Sequence, residues 1–250
     1  MSSLSGNSHS YCKNKYDSRD KNSSSSYTDT MNPEIQHEYF DLAYRTGSDI
    51  WTHINYHQIA LDMMPSIPAN SIVLDIGSGR GLWAFKLIDR GFRVIGLDYV
   101  QSIVDRVNAD IKFHHYAERA RFVYGQAHDL PFTDASFPLV TDIGLLQHLP
   151  ESDWHGYLSE LARVTQSGGY VMSVNLSDQT PRFLGFTPKF ENHSPYEKFG
   201  VLYYFFSREQ LEQLFAQYGF KVVVYQEHFF DTRSDPADSL GLHFFVFQKK

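Results

Sequence analysis

Apolar residues recur at helical spacing over 33–64, and Thr46-Gly47-Ser48-Asp49 interrupts them, so two helical pieces are predicted there. Beyond residue 70 the pattern changes. Short apolar runs predict strands at 71–75, 92–97, 121–124, 139–143 and 170–174. Between them, helices are predicted at 82–90 and 101–119. Another runs from a cap at Ser152 through Trp154, Tyr157, Leu158, Leu161 and Val164, which share a helical face, to a stop at Ser167-Gly168-Gly169. Strands alternating with helices imply a parallel sheet covered on both faces. The rhythm breaks at 176–206, a long stretch rich in aromatics and proline; such a loop is usually functional or carries its own structure. Ser207 and Gln210 then form a capping box, Leu211, Leu214, Phe215 and Tyr218 share one face, and Gly219 marks the end. Two closing strands, 220–229 and 243–248, are separated only by a loop, which predicts an antiparallel pair.

Composition sets one segment apart. Ten of residues 1–30 are serine, too few are apolar to offset the entropy of ordering, and a disordered tail is expected there. The remainder, 31–250, suits one full-sized α/β domain. Net charge is −7, and since the tail holds four basic and three acidic residues, the acidity belongs to the folded part. An acidic surface disfavours a nucleic-acid partner. The single cysteine, Cys12, cannot form an intrachain disulfide, which fits a reducing cytoplasm. No apolar run approaches the ~20 residues that span a bilayer, so no membrane partner is expected. Oligomeric state is not legible.

The chemistry concentrates at Val73-Leu74-Asp75-Ile76-Gly77-Ser78-Gly79-Arg80-Gly81, a strand, a glycine turn and a helix start. Glycines let a ligand approach the backbone, and the helix start offers free N–H groups to an anion. The spacing is Gly-x-Gly-x-Gly, not the Gly-x-Gly-x-x-Gly of dinucleotide sites. Asp75 before it would repel a pyrophosphate and suits an ammonium. A structural turn asks for the same glycines, so this motif alone leaves both readings open. Asp98 ends the second strand, 23 positions after Asp75, where a carboxylate can take both hydroxyls of a ribose or cap the next helix.

These features, with Gly125-Gln126-Ala127-His128-Asp129-Leu130-Pro131-Phe132, the run Leu145-Leu146-Gln147-His148-Leu149-Pro150 and the segment Leu161-Ala162-Arg163-Val164, resemble class I S-adenosylmethionine-dependent methyltransferases, in the branch with a Leu-Pro-Phe motif. The resemblance covers about 35–176. It implies a Rossmann-like three-layer α/β/α sandwich with a seven-stranded, mostly parallel sheet and an antiparallel last strand. It implies S-adenosyl-L-methionine as cofactor. Asp75, Gly77 and Gly79 would hold its methionine end, Asp98 the ribose, Tyr99, Gln126 and Ala127 the adenine, and Ile143 would face the sulfonium. Gln126 stands where the family often has Asp, and Phe137-Pro138 where it often has Phe-Asp. No metal is implied.

The acceptor is not written in these motifs. A small molecule is expected; an RNA or protein acceptor, or a non-catalytic cofactor-binding module, are the alternatives. His148, after the fourth strand, is the candidate general base; it can equally pack at the helix entrance. Tyr203, Tyr204 and His228 are weaker candidates. Phe183, Phe186, Phe190, Tyr196, Phe199, Tyr203, Tyr204, Phe205 and Phe206 would cover an acceptor pocket, together with the helices at 33–64, or simply stabilise an added subdomain.

Overall fold

The computed structural model describes residues 33–111, 116–180, 195–231 and 239–250. The expected tail over 1–30 with Cys12, positions 112–115, and Phe183, Phe186 and Phe190 lie outside these residues.

Residues 33–250 form one compact unit. Its parallel strands are β1 (Ile72–Ile76), β2 (Arg93–Asp98), β3 (Ala120–Tyr124), β4 (Phe137–Ile143) and β5 (Thr165–Leu176). A separate antiparallel hairpin follows, β6 (Tyr196–Lys198) with β7 (Val201–Tyr203). The last strands are β8 (Phe220–Asp231) and β9 (Ser239–Lys249). The main sheet has seven strands in the order β3-β2-β1-β4-β5-β9-β8, and β9 runs antiparallel between β5 and β8. This is the predicted architecture.

Around the sheet lie α1 (Pro33–Thr46), α2 (His57–Asp62), α3 (Leu82–Asp89), α4 (Gln101–Ile111), α5 (Glu151–Val164) and α6 (Arg208–Ala216). Because strand side chains alternate between faces, neighbours part company. Val73, Leu139 and Phe244 join a core with Ala84, Leu87 and Val104 of α3 and α4. On α5 and α6, by contrast, Tyr157, Leu158, Leu161 and Phe215 are fully buried outside that cluster, and Phe215 stacks on Phe247 of β9 at 4.0 Å between ring centroids. The parallel strands read as continuous apolar runs because both faces are covered.

Some boundaries differ from the sequence reading. Of the helix expected over 101–119, Gln101–Ile111 are described as α4 and Tyr116–Arg119 form a turn. Ser152 does not cap α5: Pro150 occupies the cap position without a side-chain bond, and Glu151 and Asp153 meet the positive helix end instead. The stop at Ser167-Gly168-Gly169 lies inside β5, since Thr165 is already extended and the chain passes directly from helix to strand. Pro138, which has no N–H to give a ladder, sits where the β4–β5 register shifts between Phe137 and Leu139. The capping box at α6 is present: Gln210 N–H donates to Ser207 Oγ at 3.2 Å and Ser207 N–H to Gln210 Oε1 at 2.6 Å.

The Leu-Pro-Phe segment and α5 are held by one side chain. The Arg163 guanidinium donates to the carbonyls of Leu130 (3.0 Å) and Phe132 (2.6 Å) and to Asp134 (2.9 Å), while Glu160 grips Arg163 and accepts from Leu130 N–H at 2.7 Å. Two motifs 30 residues apart are therefore one construction, and it fixes the chain just after β3.

Candidate active site

The strand order reverses between β1 and β4, and a crevice opens beyond the carboxyl ends of strands at such a point. The glycine turn lies there. Gly77, Gly79 and Gly81 have φ of +71°, +47° and +74°, a left-handed region that side chains resist. The turn is tied to the end of β2. Gly77 and Ser78 N–H both donate to the Leu97 carbonyl (2.8 and 3.0 Å), and Gly79 N–H donates to Asp98 Oδ2 at 2.8 Å.

Asp98 is buried and also accepts from Val100 N–H at 3.0 Å, so it does cap the entry to α4. An ionised carboxylate has about four acceptor positions, and the backbone N–H groups of Gly79, Val100 and Tyr99 occupy part of that capacity. Burial pushes its carboxyl up to about 6, against the opposing pull of the Val100 and Gly79 N–H bonds.

Asp75 is 2% exposed; Thr141 Oγ1 donates to its Oδ1 at 2.8 Å, and its Oδ2 is buried with no partner. Burial pushes its carboxyl up to about 7; the Thr141 bond opposes this, and neighbouring Asp142 and Asp98 add to it. A buried carboxylate oxygen without a donor is costly, and a cationic ligand group removes the cost. Asp142 is also fully buried: Tyr157 hydroxyl donates to its Oδ2 at 2.6 Å and Leu145 N–H to its Oδ1 at 2.8 Å, which shapes the turn after β4.

Asp75, Gly77, Gly79 and Ile143 of the predicted residues line one cleft. The rest of its wall is Ser78 and Arg80 of the glycine loop, Leu82 and Trp83 of α3, and Tyr44, Asp49, Trp51 and Tyr56 from 33–64, a segment expected to help cover the acceptor pocket though none of these four was singled out. Those last four come from the end of α1 and the chain between α1 and α2. This segment forms a roof that lands on glycines. The Tyr44 ring would be 3.1 Å from a Cβ at Gly79, and a Cβ at Gly144 would overlap the Trp51 indole. Arg80 donates to Thr52 Oγ1 and pairs with Asp49 at 3.4 Å, while Asp49 Oδ1 accepts from Thr52 N–H at 3.0 Å. The available signal was aromatics flanking a helix break, and an arginine inside a glycine loop.

The other predicted residues sit around this cleft rather than in its wall. Tyr99 follows Asp98 and meets His37 edge-on at 5.4 Å. Gln126, exposed, and Ala127, buried, lie just past β3, whose last pair joins Asp98 to Tyr124. His148 is buried beneath the β6–β7 hairpin. Its Nδ1 is 2.6 Å from the Leu202 carbonyl and its Nε2 3.2 Å from the Gln147 amide nitrogen. Its ring packs against Phe40 and Tyr203, at 5.3 and 5.0 Å between centroids. Burial pushes it down to about 4, so the ring is neutral, Nδ1–H donates to Leu202 and Nε2 accepts from Gln147. Gln36 bridges the same parts: its Nε2 donates to the His148 carbonyl at 3.0 Å and its Oε1 accepts from Leu202 N–H at 3.1 Å. Of the insertion's described aromatics, Tyr204 and Phe206 pack on Trp154 of α5, at 4.8 and 5.4 Å. The aromatic wall of the cleft comes instead from Tyr44, Trp51, Tyr56 and Trp83. His228 Nε2 lies 2.8 Å from Gln226 Oε1, out on β8.

Known proteins share this arrangement. A family model described as a methyltransferase domain matches residues 73–169. A demethylmenaquinone methyltransferase of Lactococcus lactis is 30% identical over 176 residues, covering 62% of this chain and 68% of the relative. A 27-O-demethylrifamycin SV methyltransferase of Amycolatopsis mediterranei is 30% identical over 136 residues, 54% of this chain and 48% of the relative; the chain thus spans about half of that protein. Among solved structures, a Burkholderia thailandensis 1,6-didemethyltoxoflavin-N1-methyltransferase, with 1,6-didemethyltoxoflavin and S-adenosylhomocysteine bound, has the same fold: TM-score 0.69, 20% identity, 90% of this chain and 93% of that one.

Proposed function

The chain belongs to the class I S-adenosylmethionine-dependent methyltransferases, and from that premise we propose that it methylates a small-molecule acceptor held beneath the roof formed by Tyr44, Trp51 and Tyr56. The observation that carries this reading is the aromatic enclosure of the cleft beside Ile143, which suits a small apolar or cationic molecule and excludes a broad polymer. The acceptors named for the relatives are small molecules too, and the net charge of −7 speaks against a polyanion. Among the described residues no helix is long and apolar enough to cross a membrane.

The residues present fit the cofactor, because Asp75 Oδ2 is a buried acceptor awaiting a cation. When bound, S-adenosylmethionine supplies an already activated methyl group. Asp75 takes the ammonium of its methionine end, with Gly77 and Gly79 allowing close approach. Asp98 accepts from the ribose hydroxyls while keeping Gly79 and Val100. Tyr99, Gln126 and Ala127 border the adenine, and Ile143 faces the sulfonium. The roof then aligns the acceptor, and alignment of this kind is worth roughly 7–11 kcal/mol of a barrier. His148 serves as a positioning residue: a neutral ring with both nitrogens engaged holds the β6–β7 hairpin against α1 and is a poor proton acceptor at pH 7.

S-adenosylhomocysteine at ~100 times its dissociation constant should add about 2.7 kcal/mol of stability, a rise of roughly 5–10 °C in the unfolding temperature. Asp98→Ala should blunt that rise. An unchanged melting curve at millimolar ligand would overturn the cofactor placement. Replacing Trp51 and Tyr56 by a relative's residues should change acceptor choice more than S-adenosylhomocysteine affinity; unchanged choice would sink the roof as the acceptor site.

A further inference from the structure

The cleft wall holds more unmet hydrogen-bonding capacity than Asp75 alone. Trp83, on the first turn of α3, is 3% exposed, and its indole Nε1 is buried without a partner. Arg80 Nε, on the residue next to the Asp98-bound Gly79, is also buried without one, although the far end of the guanidinium is anchored by Thr52 and Asp49. Both residues line the same cleft as Asp75. The indole N–H lies in the ring plane, whereas His57 stacks across the ring face, 6.3 Å away at 22° between planes, so it does not lie along the N–H bond. Ser78 Oγ, also unpartnered in this cleft, can donate or accept; the groups of fixed polarity are one carboxylate oxygen that wants a cation and two N–H donors that want an acceptor. An α-amino acid zwitterion satisfies all three.

We propose that the Trp83 indole N–H, with Arg80 Nε–H beside it, holds the carboxylate of the cofactor's methionine end, which makes Trp83 a specificity-determining residue for ligands with an intact amino-acid tail. The inference rests on the cofactor placement above. Trp83 acts in concert with Asp75: one end of the zwitterion is read by a carboxylate, the other by an arginine and an indole. Burial of all three makes each bond worth more than at a surface, since water does not compete there. A nucleoside thioether that lacks the tail leaves these donors unmet and gains nothing from them.

The test is calorimetric titration of S-adenosylhomocysteine and of 5′-methylthioadenosine, which has no amino-acid tail, into the full chain and its Trp83→Phe variant. Phenylalanine keeps most of the packing and removes the N–H. The variant should lose about tenfold or more in affinity for S-adenosylhomocysteine, as for a lost charge-assisted bond. Its affinity for 5′-methylthioadenosine should stay within about twofold of the parent's. Equal losses on both ligands would mean that Trp83 only packs, and no loss on either would mean that the indole is not a ligand; each overturns the proposal while leaving the cofactor site intact. Failure of the parent to bind either compound would overturn the cofactor placement and this inference together. The parent chain supplies a readout free of folding effects. With ¹⁵N-labelled tryptophan, S-adenosylhomocysteine should shift the Trp83 indole N–H resonance downfield, and 5′-methylthioadenosine should not; identical shifts from both would refute the contact.

Discussion

Asp75→Asn should weaken S-adenosylhomocysteine binding at pH 8 by about a hundredfold or more, because it removes one charge of a buried pair. The same carboxyl should make binding by the parent depend on pH. Its pKa near 7 means that, below pH 7, an incoming ammonium must first displace a proton from Asp75. Affinity should therefore rise from pH 5 to 7 and level off above. Titrations in buffers of different ionisation enthalpy should record proton release below pH 7. The variant should lose the component centred near 7 and keep the one centred near 6 that belongs to Asp98. A parent affinity flat across pH 5–8 would contradict the assignment.

Stability should move the opposite way. A carboxyl whose folded pKa is raised favours folding while protonated, and that contribution is lost as pH climbs from the ordinary carboxylate range through about 7. The ligand-free parent therefore carries an uncompensated buried charge at pH 8. Asn keeps an oxygen for the Thr141 hydroxyl and carries no charge. The variant should thus melt higher than the ligand-free parent at pH 8, with the gap narrowing at pH 5. Melting curves at the two values check this, and a variant less stable at pH 8 would count against it.

The second large effect concerns the roof. Gly144 has φ of +82°, and a Cβ there would overlap the Trp51 indole. Gly144→Ala should cost roughly 2–5 kcal/mol, combining left-handed strain with overpacking against the ring. The unfolding temperature should fall by roughly 5–15 °C. Trp51→Ala in the same background should restore part of the loss, because it removes the overlap and leaves only the strain, and a thermodynamic cycle would show the coupling. Strictly additive losses would mean that Trp51 does not rest on the β4 turn. Displacing Trp51 should also impair acceptor turnover more than S-adenosylhomocysteine binding, since Trp51 roofs the cleft whereas Asp75 and Asp98 lie below it.

Much of this fold was legible because its signals are local. The apolar runs of β1, β2, β4 and β5, the Ser207–Gln210 box and the glycine loop each report on a few neighbouring residues. The two acids ending β1 and β2 were legible for the same reason: a strand end and a polar residue adjoin in the chain. The errors also have local causes. Ser152 has the chemistry of a cap, but Pro150 two residues earlier already set the entry to α5. The aromatics after residue 195 left pocket cover and subdomain packing both open, and of them Tyr204 and Phe206 pack on Trp154, a neighbour that composition does not reveal.

The sequence by itself determined the sheet, the cofactor loop and the acids at its edge, because hydrophobic period, glycine placement and strand-end chemistry are short-range constraints. Only the tertiary structure decided which surfaces meet. It laid Tyr44 on Gly79 and Trp51 on Gly144, and brought Arg80 to Asp49 across 31 positions. It left Asp75 Oδ2 and Trp83 Nε1 buried without partners, and buried His148 so that its pKa falls to about 4. Those outcomes follow from close packing and desolvation between segments distant in the chain, and neither quantity is a property of any one stretch of residues.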